Sequence, residues 1–526
     1  MTDDILAVQS KLWAIADDLR ANSNLSQINY KTPVLGVIFL RHAEQRFAEA
    51  EAELSGGSSG RRAIGKADYQ SRGVLFVPPE ARYGFLKDLP EGADLGRAMN
   101  DAMRAIEREN DELRGVLPLT YATLGNPIIV GLLRQVDELM TGISGDAYGK
   151  VYEYFLAKFA MGEGQRGGQF FTPTPLVRLI VEVIEPHGGR ILDPAAGSGG
   201  MFVQSAGFVE GHREASNQVL SIYGQEKERD TVRLAKMNLA VNGLAGDIAE
   251  ANSFYEDPHQ MVGAFDFVMA NPPFNVNGVD KTRLTNDARF PFGLPSSDNA
   301  NYLWVQMFYA ALNDAGRAGF VMPNSAGDAR GSELEIRRRL LETGSVDVIL
   351  AVSTNFFLTV TLPCTLWFFD RAKERDVMRA DQVLFIDAKQ IFTQIDRAHR
   401  TFSEEQLEFL ANIVRLHRGE LPLDSATHRD ESDETASLTI EHFPEGAYRD
   451  IPGLCARVTM NEIEEKGWSL NPGRYVGTTI AGDDGVDFQV HLEELAEEFA
   501  SLTSDASALS DEVQANLAVL LGPAND

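Results

Sequence analysis

The feature that most constrains the fold is a regular alternation of apolar runs and amphipathic stretches between about residues 150 and 390. Short β-rich runs occur at RILDP, SIYGQ, FDFVMA, AGFVMP, VDVILAV, TLWFF and VLFID. Helical spacing of apolar residues lies between several of them, for example in ERDTVRLAKMNLAVNG and NYLWVQMFYAAL. Strands that alternate with helices are typical of a doubly wound α/β sheet. We therefore predict such a domain over residues 151–417.

The regions on either side of this domain have a different pattern. Residues 1–150 are predicted to be mostly helical, because LWAIADDLR and TPVLGVIFLRHAEQRFAEAEAEL carry apolar residues at helical spacing. Residues 418–438 are polar and acidic, which predicts a flexible linker. A C-terminal segment at 439–486 follows the linker.

The last region, residues 487–526, has the apolar spacing of a coiled-coil-like helix. Steps of three and four residues separate its apolar positions, with one break at Asn516. These positions are Leu492, Leu495, Phe499, Leu502, Ala506, Leu509, Val513 and Leu520. Two interpretations are open: a helix packed on its own domain, or a helix that docks on a partner subunit.

Composition limits the classes of function. The net charge of -29 argues against a self-sufficient nucleic-acid binder, because affinity for a duplex rests largely on Lys and Arg. No stretch of about 18 apolar residues occurs, and the acidic N-terminus is unlike a signal peptide, so we predict no membrane helix. The two cysteines, Cys364 and Cys455, are too few for a disulfide framework or a cysteine-based zinc site. This usage predicts a cytoplasmic protein.

A glycine-rich turn and an acid indicate a cofactor site. In RILDPAAGSGG, an apolar strand ends at Asp193, and Gly197 and Gly199 follow in the turn, where glycine lets a ligand approach the backbone. The spacing G-x-G-G departs from the dinucleotide fingerprint. A second strand ends at Glu226, a position where an acid commonly accepts hydrogen bonds from ribose hydroxyls. Together they predict a cofactor that contains adenosine; the alternatives are a turn without ligand and a solvated glutamate.

The stretch FDFVMANPPFN indicates the chemistry. Asn271 lies at the carboxyl end of a strand, where open α/β sheets bind ligands, and two prolines hold the following backbone carbonyls rigidly. The amide oxygen and one such carbonyl make two acceptors for an NH2 group, and Phe274 offers a flat face for stacking. A planar heterocycle with an exocyclic amine fits this arrangement. The alternative is an ordinary turn with a capping asparagine.

These motifs resemble those of a known family. Asn271-Pro272-Pro273-Phe274 resembles the (N/D)PP(Y/F) motif of amino-methyltransferases that use S-adenosylmethionine, and DPAAGSGG resembles their glycine motif. GGQFFTPTPLVRLIVE resembles a further cofactor motif of that class. The stretches LWAIADDLR, VLGVIFLRH, DAYGKVYEYFLAKFA and SLNPGRYVG are similar to the modification subunit of type I restriction-modification systems.

The resemblance implies an N6-adenine DNA methyltransferase with a Rossmann-like α/β catalytic domain, a helical N-terminal domain and a C-terminal helical tail. It implies S-adenosylmethionine as cofactor, DNA as substrate and a specificity subunit as partner, typically with two modification subunits to one specificity subunit. A restriction subunit with an ATP-driven motor is a further partner of the family. The specificity subunit would read the DNA sequence, which accounts for the acidic charge of this chain. The target adenine would have to leave the duplex to react.

The resemblance also implies roles for individual residues, and it implies no metal. The implied cofactor-binding residues are Gln169, Phe170, Phe171, Thr172, Pro173, Thr174, Asp193, Gly197, Ser198, Gly199, Gly200, Glu226 and Asn252. Asn271 and the Pro272 carbonyl, followed by Pro273, would hold the adenine amine, and Phe274 would stack on the base. Phe357 in VSTNFFLTV would close the other face of the base, or is a core residue. A proline before this stretch and a glycine after it, usual in the family, are absent here.

Two other functions remain open at this point. The tetrapeptide also suits other planar nitrogens, such as cytosine N4, an RNA base or a protein glutamine. A non-catalytic scaffold in a phage-defence complex is the second alternative, although a scaffold has no need of Asn271 and its prolines.

Overall fold

A computed structural model describes residues 27–57, 64–140, 152, 172–211, 219–357, 363–396, 399–422 and 438–478. The predicted tail helix at 487–526 and most of the predicted linker lie outside these residues. Within the described ranges, no helix is both long and apolar enough to cross a membrane.

In the described part of the chain, nine strands form one mixed sheet and two short strands form a separate pair. The strands are β1 (Gly189–Asp193), β2 (Leu220–Glu226), β3 (Gly246–Glu250), β4 (Phe265–Ala270), β5 (Leu312–Pro323), β6 (Val346–Val352), β7 (Cys364–Asp370), β8 (Gln382–Ala388), β9 (Thr393–Gln394), β10 (Arg400–Thr401) and β11 (Cys455–Thr459). The order in the large sheet is β11-β8-β6-β7-β5-β4-β1-β2-β3. Six of the seven apolar runs noted above lie within strands, and the seventh, RILDP, extends one residue past β1. This agreement confirms the predicted α/β fold.

The direction of the strands places the candidate site. β3, β2, β1, β4 and β5 are parallel, whereas β7 is antiparallel to both β5 and β6. The chain runs outward from β1 through β2 to β3 and then returns to the other side of β1 to form β4. Open α/β sheets bind ligands outside the carboxyl ends of the strands at such a reversal. Asp193 ends β1 and Asn271 follows β4 at this edge.

Thirteen α-helices are described within these residue ranges. They are α1 (Gln27–Gly57), α2 (Lys66–Gln70), α3 (Tyr83–Lys87), α4 (Leu95–Glu109), α5 (Asn126–Met140), α6 (Thr174–Ile184), α7 (Gly200–Gly211), α8 (Arg229–Val241), α9 (Asn301–Ala311), α10 (Ser332–Glu342), α11 (Glu404–Arg418), α12 (Leu438–His442) and α13 (Met460–Glu465).

Helices cover both faces of the large sheet. Side chains alternate between faces along a strand, and β6 is buried along its whole length. Val348 and Leu350 accordingly join a hydrophobic cluster with α6, α7, α8 and α11, whereas Ile349 joins a second cluster with α9 and α10. Burial on both faces explains why the strands appear in the sequence as continuous apolar runs.

The helices α1 to α5 enclose a third hydrophobic cluster, which confirms the predicted helical character of the described part of residues 1–150. Met237, Ala240 and Val241 of α8 also belong to this cluster. His42 of α1 contacts the Val241 carbonyl oxygen through Nε2 at 2.8 Å. Burial lowers the pKa of His42 to about 4, so the ring is neutral at this junction.

β11 is not anticipated by the sequence patterns. It pairs antiparallel with β8 over Cys455–Thr459 and therefore extends the sheet beyond residue 417. Only two of its five residues are buried, because β11 lies at the edge of the sheet. Its sequence therefore lacks the continuous apolar run that marks the central strands. The domain boundaries given above remain predictions, but the sheet itself takes in part of the segment at 439–486.

Candidate active site

The turn after β1 has the backbone that its glycines predict. Gly197 and Gly199 have φ values of 51° and 78°, in the left-handed region that favours glycine. Asp193 at the end of β1 is buried, and its Oδ1 accepts a hydrogen bond from the Ala195 backbone N–H at 2.9 Å. Burial raises the pKa of Asp193 to about 8, and the nearby charge of Glu226 acts in the same direction.

Glu226 joins the glycine turn to the end of β2. Its Oε2 accepts a hydrogen bond from the Gly197 N–H at 3.2 Å, and its Oε1 accepts one from the Glu228 N–H at 3.0 Å. Burial raises the pKa of Glu226. Each oxygen of a carboxylate can accept a second hydrogen bond. The acid is therefore held in place and still has capacity for two ligand hydroxyls.

A cavity of about 390 Å³ opens beside Glu226. Its lining includes Pro194, Glu226, Asn252, Phe254, Pro273 and Trp304. These residues come from the ends of β1, β2 and β3, from the turn after β4 and from α9. The volume is at the lower end of the range for small-molecule sites. The structure thus brings Asn252 and Glu226, predicted from separate motifs, to one cavity.

A buried arginine holds the loop that follows β3. Arg289 donates from Nη1 to the Ser253 carbonyl at 2.7 Å and from Nη2 to the Phe254 carbonyl at 2.9 Å. Arg289 also forms an ion pair with Asp287, with 2.6 Å between Nη2 and Oδ2, and it is only 5% exposed. Ser253 in turn donates from Oγ to the Pro194 carbonyl at 2.6 Å. The sequence reasoning misses Arg289; the unusual length of the connection between β4 and α9 is the one signal that points to this region.

Asn271 contacts the segment before α6. Its Nδ2 donates to Thr172 Oγ1 at 3.0 Å, across 99 positions of sequence. Oδ1 is the only acceptor atom of this amide, and the hydrogen bond from Nδ2 to Thr172 sets the direction in which Oδ1 faces. Pro173 precedes α6 as its N-cap, and Thr174 is its first residue. Gln169, Phe170 and Phe171 lie outside the described residues.

The two aromatic residues expected to stack on a base belong to one hydrophobic cluster. Phe357 is 4% exposed and is a core member of the cluster, and half-buried Phe274 packs against the same cluster. Phe357 is therefore a core residue in this conformation, and its role against a base stays a prediction. Among the described residues, no group of three or more His, Cys, Asp or Glu is placed to hold a metal ion.

Comparison with known proteins identifies the family. Residues 143–484 match the family described as N-6 DNA Methylase, and residues 8–129 match the HsdM N-terminal domain. The chain belongs to the N-6 DNA methylase family. It is 36% identical to the type I restriction enzyme MjaIX methylase subunit of Methanocaldococcus jannaschii, over 96% of this chain and 90% of that protein. It is 33% identical to the HindI methylase subunit of Haemophilus influenzae, over 84% of this chain and 99% of that protein.

A solved structure supports the fold of this N-6 DNA methylase. The type I restriction-modification methyltransferase subunit from Streptococcus thermophilus superposes with a TM-score of 0.71 at 21% identity, over 90% of this chain and 99% of that chain. The family membership confirms the predicted function: the protein is an adenine-specific DNA methyltransferase of the type I methylase-subunit family.

Proposed function

We propose that this N-6 DNA methylase binds S-adenosylmethionine at the carboxyl edge of β1, β2 and β3. The adenosine part occupies the cavity beside Glu226 and Asn252, and the methionine end follows the glycine turn from Gly197 to Gly200, including Ser198. The observation that carries this proposal is that Pro273 of the Asn-Pro-Pro-Phe turn lines the same cavity as Glu226. A cofactor in that cavity lies directly beside the turn that carries Asn271.

The residues present fit this cofactor. The ribose hydroxyls donate to Glu226, which is already oriented by the Gly197 and Glu228 N–H groups. The left-handed backbone at Gly197 and Gly199 brings the turn close to a ligand. Buried Asp193 supplies a carboxyl group for a cationic ligand. When bound, S-adenosylmethionine supplies a methyl group on a positively charged sulfur.

Asn271 and the Pro272 carbonyl hold the amine of the target adenine. Both accept hydrogen bonds from the NH2 group, which favours the pyramidal nitrogen whose lone pair can attack. As the nitrogen bonds to the methyl carbon, the bond from that carbon to sulfur would break and the sulfur would leave as a neutral thioether. Both acceptors would stabilise the positive charge on the nitrogen until its proton passes to solvent. Thr172 fixes the amide of Asn271 by accepting from Nδ2, so Oδ1 is presented to the amine.

The adenine reaches this turn only after it leaves the duplex. Flipping a base costs a few kcal/mol. Stacking on an aromatic face contributes about 1–3 kcal/mol per base and offsets part of that cost. Phe274, directly after the two prolines, is the residue we assign to this contact, with Phe357 on the other face.

The net charge of -29 indicates that another chain supplies much of the surface for DNA. We propose a specificity subunit as that partner, with two methylase subunits to one specificity subunit and with the tail at 487–526 as a docking helix. A restriction subunit is a further partner of such an assembly.

The test is methyl transfer from labelled S-adenosylmethionine to DNA, with this chain alone and with the specificity subunit encoded beside it. We expect N6-methyladenine only when the partner is present. Activity from the chain alone would contradict the division of labour. Only N4-methylcytosine or methylglutamine in the digest would contradict the proposed substrate, and a failure to bind the cofactor even with the partner would favour a scaffold.

A further inference from the structure

Asparagine amides tie the turn that carries the catalytic motif to the start of α9. Asn275 directly follows Phe274 and has a φ of 54°, in the left-handed region. Its backbone N–H donates to Asn301 Oδ1 at 2.9 Å, and Asn301 Nδ2 donates back to Asn275 Oδ1 at 2.9 Å. The two residues, which we call the amide clamp, therefore close a ring of two hydrogen bonds across 26 positions of sequence.

A third asparagine reinforces the amide clamp. Asn299 Nδ2 donates to Asn275 Oδ1 at 2.9 Å, and the Asn301 backbone N–H donates to Asn299 Oδ1 at 2.8 Å. Asn301 is only 4% exposed, so water cannot readily replace a lost partner. Asn275 itself is exposed, but an unsatisfied amide at buried Asn301 is costly, so the network holds Asn275 against Asn301.

The amide clamp lies between the two parts of the proposed reaction. The Ala300 N–H donates to the Val276 carbonyl at 3.0 Å, and Val276 lines the cavity that we assign to the cofactor. Trp304, one turn further along α9, lines the same cavity. On the other side, Asn275 is joined directly to Phe274, the residue assigned to stack on the base. The start of α9 therefore supports both the turn and the cavity wall.

We propose that Asn301 is a positioning residue for methyl transfer, which acts through Asn275 to hold the turn from Asn271 to Phe274 against the cofactor cavity. This inference rests on the proposed function. The two prolines make the turn stiff but do not fix its place relative to the cavity, whereas the amide clamp does. Misplacement of reacting groups by about 1 Å can slow a reaction about 100-fold.

If Asn301 had a purely structural role, its replacement would lower the stability of the protein without slowing methyl transfer by the folded enzyme. Asn110 provides a matched control in the helical N-terminal part of the chain. It is fully buried, its Oδ1 accepts from the Phe76 N–H at 2.9 Å, and its Nδ2 donates to the Phe76 carbonyl at 3.0 Å. Asn110→Ala therefore removes a comparable pair of bonds away from the site, together with a third from Nδ2 to the Ile106 carbonyl at 2.8 Å.

The experiment compares Asn301→Ala, Asn110→Ala and wild type as full chains with the specificity subunit. Single-turnover methyl transfer, the Kd for S-adenosylmethionine and backbone hydrogen exchange over residues 271–279 are measured. For Asn301→Ala we expect transfer about 10- to 100-fold slower, an unchanged Kd and faster exchange of the turn. For Asn110→Ala we expect wild-type transfer and wild-type exchange of the turn.

A double-mutant cycle tests whether the two asparagines act as one unit. Asn275→Gly keeps the left-handed backbone while it removes the side chain. We expect Asn275→Gly, Asn301→Ala and the double variant to lose similar activity. Three outcomes would each overturn this inference while leaving the proposed function intact. They are wild-type transfer rates in Asn301→Ala, an equal loss of activity in Asn110→Ala, and losses that multiply in the double variant. No transfer by the wild-type complex would overturn the proposed function and this inference with it.

Discussion

Asp193 is the group whose protonation should change when the cofactor binds. It is 1% exposed, and burial raises its pKa to about 8, with only the Ala195 N–H hydrogen bond acting to lower it. At pH 7 a carboxyl with that pKa is about 90% protonated. An unfolded aspartate ionises near 3.8. This group therefore stabilises the unliganded protein fully below about pH 4, and that contribution is lost as the pH rises to about 8.

S-adenosylmethionine carries a positive sulfur, and a nearby cation favours the ionised form of a carboxyl. Binding should therefore lower the pKa of Asp193 and release up to about 0.9 proton per molecule at pH 7. It follows that affinity rises with pH, by up to about tenfold per unit, and levels off above about pH 8. Asp193→Asn should release no proton from this position, and its affinity should depend less on pH than that of the wild type.

Calorimetry at pH 7 in buffers with different enthalpies of ionisation measures the proton release directly. Asn is the matched substitution because its Oδ1 can still accept from the Ala195 N–H. Glu226 also has a raised pKa, and its charge acts on Asp193, so the difference between the two proteins measures Asp193 together with its effect on Glu226. Equal proton release by wild type and Asp193→Asn would refute the reasoning.

Two further substitutions test the site, and a third tests the core beneath it. Asn271→Ala removes an acceptor for the charge that develops on the amine, so it should slow methyl transfer about 10²- to 10³-fold with little change in the cofactor Kd. Rapid-quench kinetics measure the transfer and calorimetry measures the Kd, and near-normal rates would show that Asn271 has another role. Thr172→Val removes the acceptor for Asn271 Nδ2, a loss of about 0.5–1.5 kcal/mol, so single-turnover transfer should fall about 2- to 12-fold; an unchanged rate would contradict the contact. Gly224→Ala tests the core beneath the glycine turn, because the new methyl group would lie 2.7 Å from Ile248 Cδ1 and 3.1 Å from Ala196 Cβ, which moves only with its backbone. It should lower the free energy of unfolding by about 1–3 kcal/mol in urea titrations, and wild-type stability would mean that the core yields there.

Local patterns in the sequence determined most elements of the sheet, β11 excepted, and indicated the chemistry of the site. The seven apolar runs predict strands because strands buried on both faces need continuous apolar side chains. Gly197 and Gly199 predict the left-handed turn, since backbone preference is a property of the residue itself. Asn271 and its prolines indicate an amine substrate because the groups that bind the amine lie in one short contiguous stretch.

Only the tertiary structure decided which of these pieces meet. Thr172 is 99 positions from Asn271, and Asn301 is 26 positions from Asn275, and no spacing in the sequence predicts either contact. Arg289 fixes the cavity loop through backbone carbonyls, which every residue possesses and which therefore leave no mark in the sequence. Such contacts depend on the order of the strands and the path of the connections between them. They are made by residues far apart in the chain, so the physical cause is visible only once the chain is folded.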